Sequence, residues 1–378
     1  VLGIAALGVV LRSPIVALAP LAPEARADLG VGAGEYGLLT SIPVLCFAVA
    51  SPLALAVLRR AGLRRGAVLC ATGIALAVAV RAVGGLGLAL LATVALGVAM
   101  TLGNVLVPAL VRRDVPARRR AIVTAVFTFA LNAGSVVAAV ASAPLAVAVG
   151  WRGASALFAV LAAAVAVFWI LRPRDPAPGA VGGTRPPRTV PRTVAVLLAV
   201  AFCGQAFCFY GFSSWLPTLL HDFSGVAVAA AAPTASLFQA AGLAGCIAVP
   251  ALGMRLRTWQ VTLVVGLCWI ALPIGLLAGA SVVPLLLVGG VAQGAGLTAV
   301  LSAVATLGAT PGETARLSAF VQGAGYAAAA IGPTLLGWLR DTTGTWAPAL
   351  VVLAVGTVVY LAAGTIGAAI GARDRMPA

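Results

Sequence analysis

Arg12 is the only charged residue in an apolar stretch, Val1 to Leu21, that is long enough to cross a bilayer. A charge near the centre of a membrane helix costs roughly 2.5–3.5 kcal/mol on the mildest insertion scale, so such a residue usually faces a cavity and has a task. Neutral polar residues recur at similar depth further along the chain. Thr101 and Asn104 stand one helical turn apart, and Asn132 lies in the next apolar stretch. Gln205 and Phe209 share a helix face at i and i+4, as do Gln322 and Tyr326; Tyr210 and Trp215 follow Phe209, and Ser236, Gln239 and Gln293 complete the set. Each Asn or Gln taken alone is equally well read as interhelical glue, at about 0.6 kcal/mol. Taken together, with one cation among them, they read as the lining of a cavity. The acidic residues Glu24, Asp28, Glu35, Asp114, Asp175, Asp222, Glu313, Asp341 and Asp374 all fall at the ends of apolar stretches or in loops, so none pairs with Arg12 at its depth. Arg81, near the outer end of its stretch, is expected to snorkel to the interface in a structural role.

The rest of the chain is built to hold such groups in lipid. Of 378 residues, 62% are hydrophobic and 9% charged, against about 25% charged in soluble domains. This is the composition of an all-α membrane protein. Reading for runs of about 20 apolar residues gives about twelve spans, near 1–21, 36–58, 66–84, 86–110, 121–148, 153–171, 194–217, 228–253, 260–279, 282–308, 315–337 and 346–370. No run alternates with period two, which argues against a β-barrel. Net charge is +15 and every basic residue apart from His221 is Arg. These Arg residues cluster in the even-numbered loops: Arg59, Arg60, Arg64 and Arg65; Arg112, Arg113, Arg118, Arg119 and Arg120; Arg172, Arg174, Arg185, Arg188 and Arg192; Arg255 and Arg257. That asymmetry predicts cytoplasmic even loops and both termini inside, and it assigns the basic charge to topology rather than to nucleic acid. No cleavable signal peptide is evident, and a short native N-terminus is expected ahead of the first span.

A Pro- and Arg-rich segment, 172–193, is the one clear linker. It divides the chain into an N-terminal six-helix half, 1–171, and a C-terminal six-helix half, 194–378. The halves echo each other: Ala117-Arg118 matches Ala315-Arg316, and Phe127 to Gly134 resembles Phe320 to Gly325, with Asn132 and Gln322 at similar depth. Parallel repeats across a central linker are the pattern of the major facilitator superfamily. Gly290 and Gly294 form a GxxxG that predicts close helix packing. Pro43, Pro52, Pro108, Pro217, Pro250 and Pro333 are expected to kink or end helices.

Several chemistries are excluded. Without Lys there is no Walker A lysine and no Schiff base, and no Ser-His-Asp or paired-carboxylate arrangement is visible, so an enzyme is not expected. Cys46, Cys70, Cys203, Cys208, Cys246 and Cys268 lie inside apolar spans without a CxxC, and one His cannot build a zinc site with them. No metal and no cofactor are expected.

The residue strings resemble a particular branch. Leu11-Arg12-Ser13-Pro14 with Pro20-Leu21, Gly37 to Val44, Gly103-Asn104-Val105-Leu106-Val107-Pro108 running on to Pro116, Phe209-Tyr210 with Trp215-Leu216-Pro217, and Leu317 to Tyr326 with Gly332-Pro333 and Trp346 are similar to the cyanate permease and 2-nitroimidazole transporter family of the major facilitator superfamily. The match runs in order over nearly the whole chain. One departure concerns the cytoplasmic gate loop, Arg59, Arg60, Gly62, Arg64 and Arg65, which keeps the basic turn and the Gly but has Arg59 where the superfamily motif places Asp.

The resemblance implies a multi-pass carrier of the bacterial cytoplasmic membrane, monomeric, that moves a small anion (cyanate-like or carboxylate) or a small nitro-heterocycle by alternating access. On that footing Arg12 supplies a fixed positive charge, Asn104, Gln205, Gln322 and Tyr326 donate hydrogen bonds, and Phe209, Tyr210 and Trp215 form an apolar or stacking wall. Asn132, Gln239 and Gln293 are further cavity candidates. Protons enter as a coupling partner only through an end-of-helix group such as Glu35 or Asp222, or on the substrate itself; otherwise coupling is absent. A drug-efflux pump of the same fold, a passive channel and a membrane sensor are the alternatives. Three Met and 6% aromatic residues suit a small site better than a wide one.

Overall fold

A computed structural model describes residues 1–31, 33–172, 190–226 and 228–373. Most of the linker, 173–189 with Arg174, Arg185 and Arg188, therefore lies outside the described residues. The described chain is almost wholly helical, and no strand occurs among the described residues. In order the helices are α1 (Leu2–Val10), α2 (Ser13–Val16), α3 (Leu18–Leu29), α4 (Ala33–Val49), α5 (Ser51–Val83), α6 (Leu86–Asp114), α7 (Arg120–Leu171), α8 (Arg192–Ser224), α9 (Val228–Gly253), α10 (Thr258–Leu277), α11 (Val282–Leu307), α12 (Pro311–Thr343) and α13 (Ala347–Arg373).

Ten helical segments among the described residues are long and apolar enough to cross a membrane, with two shorter apolar ones, Leu2–Val16 and Leu38–Val49. The two shorter ones fall in the first two apolar stretches, which are both interrupted. Proline explains the first interruption. Pro14 has no N–H for the Val10 carbonyl, so the helical ladder fails there. Arg12 takes a non-helical φ of −134° just ahead of α2, and the Ser13 hydroxyl donates to the Val9 carbonyl at 2.7 Å. A second break at Ala17 precedes Pro20, which cannot donate to the Val16 carbonyl. Two of the loops expected from the sequence lie inside longer helices, where Gly62 in α5 (φ 79°) and Gly150 in α7 (φ 70°) leave helical geometry, and a side chain at either would be strained in that left-handed region.

The described chain forms two compact units. The first comprises Val1–Ala117, Ala130–Val190 and Gly308–Ala319; the second comprises Arg118–Phe129, Pro191–Leu307 and Phe320–Ala378. In the first unit α6 packs against α4 and α5. Gly134 lets α7 approach α1 so closely that a Cβ there would lie 2.7 Å from the Val9 carbonyl oxygen. The Gly308–Ala319 stretch is held by Arg112, whose Nη2 donates to the Ala309 carbonyl at 2.8 Å, and by Ser318, whose Oγ donates to the Asn104 carbonyl at 3.4 Å.

In the second unit α11 packs on α9, and α13 on α8 and α10. Gly290 and Gly294 bring α11 directly onto the α9 backbone at Phe238 and Gly242, where any Cβ would collide with a carbonyl. This is the close packing expected of GxxxG. Phe212, Phe238 and Trp269 fill the core beside it, with the last two rings stacked at 5.9 Å. The Arg118–Phe129 stretch joins this unit through the Thr128 and Thr298 hydroxyls, 2.7 Å apart.

Each unit carries the same clamp. In the first, Asp28 Oδ2 near the end of α3 accepts from Trp151 Nε1 at 3.1 Å and Arg152 Nε at 2.9 Å, while Arg152 Nη1 reaches the Ala82 and Gly84 carbonyls. In the second, Asp222 Oδ2 near the end of α8 accepts from Trp346 Nε1 at 3.1 Å and Arg340 Nη2 at 3.4 Å. In both, the guanidinium also lies over the indole, at 4.7 Å for Arg152 and 6.0 Å for Arg340. The helix carrying each Asp ends on a left-handed glycine, Gly30 or Gly225.

Candidate functional site

In the first unit the broken span presents Arg12 as a half-buried side chain. Its Nη1 donates to Asn132 Oδ1 on α7 at 3.4 Å, a long bond to a neutral group. Asn104 on α6 is buried, as is Asn132. Thr101, one turn before Asn104, donates its hydroxyl to the Gly97 carbonyl of its own helix at 2.7 Å. Arg12 and Asn132 are thus brought together on neighbouring elements that sequence spacing alone does not join.

Arg81 departs from the expectation. It does not reach the interface: it is 1% exposed and its Nη2 donates to the Pro14 carbonyl at 2.8 Å. Helix α5 packs against its neighbours up to this level, so the long side chain is covered by protein and turns toward the break in the first span. Tyr36, also buried, donates its hydroxyl to the Leu18 carbonyl at 2.8 Å, in a core cluster with Leu18, Leu21 and Trp151. In the Arg-rich turn, Arg59, Arg60 and Arg65 are exposed, Gly62 makes the bend, and Arg64 Nη2 donates to the Ile170 carbonyl.

The second unit holds an aromatic chain. Phe209 meets Tyr210 edge-on at 5.1 Å, Tyr210 meets Tyr326 at 6.4 Å, and Tyr326 meets Phe202 at 5.4 Å. Phe202 was not singled out in the sequence; its spacing of seven from Phe209, two turns along one face, is the signal that carries it. Gln205, 2% exposed, donates Nε2 to the Gln293 carbonyl at 2.7 Å. Its Oε1 and the Gln293 Nε2 lie buried without a hydrogen-bond partner, in space that the absent side chains of Gly296 and Gly242 leave open. Gln239 Nε2 donates to Ser213 Oγ at 3.0 Å. Gln322 is buried on α12, one turn before Tyr326. Trp215 stands apart from the aromatic chain: its Nε1 donates to the Pro333 carbonyl at 2.7 Å and its ring meets Trp346 at 5.5 Å.

The chemistry available is that of binding. A guanidinium with a neutral amide partner suits an anion or an electron-rich acceptor, and a run of edge-on rings offers π faces to a planar ligand. No group of His, Cys, Asp and Glu that could hold a metal ion occurs among the described residues.

Comparison with known proteins agrees with this picture. The sequence profile of the Major Facilitator Superfamily matches residues 4–278. An uncharacterized transporter of Bacillus subtilis, YycB, is 31% identical over 94% of this chain and 89% of its own length. The 2-nitroimidazole transporter of Escherichia coli is 27% identical over 93% of this chain and 91% of its own. Among solved structures, the superfamily transporter FucP in its outward conformation superposes with a TM-score of 0.75 at 15% identity, over 100% of this chain and 98% of that one.

Proposed function

The chain belongs to the Major Facilitator Superfamily, and from that footing we propose that it carries a small organic or inorganic anion, or a small nitro-heterocycle, across the bacterial cytoplasmic membrane by alternating access. It is a multi-pass membrane transporter and not an enzyme. The observation that carries the substrate class is the broken first span, which presents Arg12 to a neutral amide, Asn132, instead of burying it in a helix. A relative named for 2-nitroimidazole supports the heterocycle arm of the reading.

In this reading Arg12 holds the negative or electron-rich end of the substrate. Asn132 and Asn104 supply hydrogen bonds beside it in the first unit; Gln322 and Tyr326 are the hydrogen-bonding candidates of the second, taken by itself. Phe209 and Tyr210 present ring faces. Gln205, Gln239 and Trp215, whose side chains donate to other protein groups, and Gln293, whose backbone carbonyl receives Gln205, brace the helices that carry the rings. The halves 1–171 and 194–378, joined by 172–193, move relative to each other in the transport cycle; even-numbered loops and both termini face the cytoplasm; the protein works as a monomer.

The test is uptake of cyanate, small carboxylates and 2-nitroimidazole into proteoliposomes by wild type and Arg12→Gln. Loss of a desolvated charge contact is expected to lower uptake roughly tenfold or more. Unchanged uptake in Arg12→Gln would sink the assignment.

A further inference from the structure

We propose that Arg81 is a second fixed cation of the anion site, a positioning residue that acts on the ligand through the broken segment carrying Arg12. The proposal rests on the reading of Arg12 as the anion-binding residue and adds a second charge to it.

The observations are local. Arg81 is one of the largest fully buried side chains of the protein, at 1% exposure. Its one hydrogen bond goes to the Pro14 carbonyl, two residues beyond Arg12. Its Nε and Nη1 are buried with no hydrogen-bond partner, and no carboxylate among the described residues is paired with it. The segment it touches is held twice over: Arg81 takes the Pro14 carbonyl and Tyr36 takes the Leu18 carbonyl, so two backbone acceptors in the interrupted stretch are satisfied from other helices.

Bracing alone does not require a guanidinium. A backbone carbonyl at a helix break is satisfied by any neutral donor, and one such bond returns far less than the desolvation of an unpaired cation demands. What Arg81 adds over Gln or Ser at this position is charge. In a low-dielectric surrounding that charge is weakly screened, and it is fixed to the same short break as Arg12. Both cations favour an anion arriving at the break, and the missing counter-charge of Arg81 is supplied when the substrate binds. The expensive burial is then balanced during part of each cycle, which an exposed, snorkelling Arg would never need.

Three substitutions separate charge from bracing. Arg81→Lys keeps the charge and N–H donors; Arg81→Gln keeps a donor group and loses the charge; Arg81→His makes the charge adjustable. The probes are cyanate and 2-nitroimidazole, with affinity read from binding and from the concentration dependence of proteoliposome uptake. We expect Arg81→Lys to bind cyanate close to wild type and Arg81→Gln to bind it roughly tenfold more weakly, with the maximal rate changed less than the affinity. In Arg81→His, cyanate affinity rises as pH falls through the imidazole range, near about 6.5, beyond any change in wild type; this arm also serves if Arg81→Gln does not fold. Wild-type affinity in Arg81→Gln, or a flat pH profile in Arg81→His, while Arg12→Gln loses binding, reduces Arg81 to a brace and overturns the proposal alone. Full binding by Arg12→Gln overturns the anion site itself, and absence of binding of either probe to wild type does the same.

Discussion

At the scale of single residues, the side chains divide by whether their polar groups are spent on protein. Thr101 satisfies its own helix and Gln205 the carbonyl of Gln293. Arg12 bonds a neutral amide, and the rings of Phe209, Tyr210 and Tyr326 meet edge to face. On the proposed reading a planar ligand uses those rings and a linear anion does not, which gives a selective prediction. Tyr210→Leu is expected to weaken 2-nitroimidazole by about 0.5–1.5 kcal/mol, the worth of one aromatic pair, and to leave cyanate affinity near wild type; parallel binding curves for the two probes check it. Gln205→Leu removes a buried amide whose oxygen is already unpartnered, so a stability loss of only about 1 kcal/mol is expected by thermal unfolding. Arg12 stood out in the sequence because a lone charge in an apolar run has few roles. Arg81 was misread because nearness to a span end says how far a side chain could reach, and not whether neighbouring helices cover it. Asn132 could be listed as a candidate but not joined to Arg12, since no periodicity links residues 120 positions apart.

At the scale of elements, apolar length placed the helices well, and proline explained their interruptions once the missing N–H groups were traced to Val10 and Val16. The turns at Gly62 and Gly150 were harder to read: chemistry there signals a loop, yet helix resumes at once after a single left-handed residue. The two Asp–Trp–Arg clamps were also missed as units, because each joins residues more than a hundred positions apart. They make a paired prediction. Trp151→Phe and Trp346→Phe keep the ring and remove one hydrogen bond to a carboxylate, so each is expected to lower stability by about 1.5–3 kcal/mol, the range for bonds to charged groups, read as a thermal shift in detergent. Gly294→Val tests the α9–α11 contact: its side chain meets the Gly242 carbonyl, overpacking that is expected to cost at least about 1–3 kcal/mol and to sharply lower the yield of folded protein.

At the scale of the whole molecule, composition announced a helical membrane protein and the residue strings announced its superfamily. The compact units are not continuous in sequence: Arg118–Phe129 belongs to the second and Gly308–Ala319 to the first, through contacts such as Thr128–Thr298 that no local pattern encodes. Orientation rests on the Arg count of the loops and is open to a direct check. In a cysteine-free background, Arg60→Cys is expected to react with an impermeant thiol reagent only from the cytoplasmic side and Thr345→Cys only from outside; both positions are exposed. Reaction of both from one side would overturn the topology.

The clamps have one more consequence. Each sets an indole N–H against a carboxylate and lays a guanidinium over the same ring, in Trp151 for the first unit and Trp346 for the second. Indole emission responds to charge at that range, so each unit contains a native fluorophore beside a defined charge pair. With the other tryptophans replaced, the protein would carry its own optical gauge, one channel per unit, and any loosening of either clamp during a transport cycle would be visible as a colour change without an attached dye.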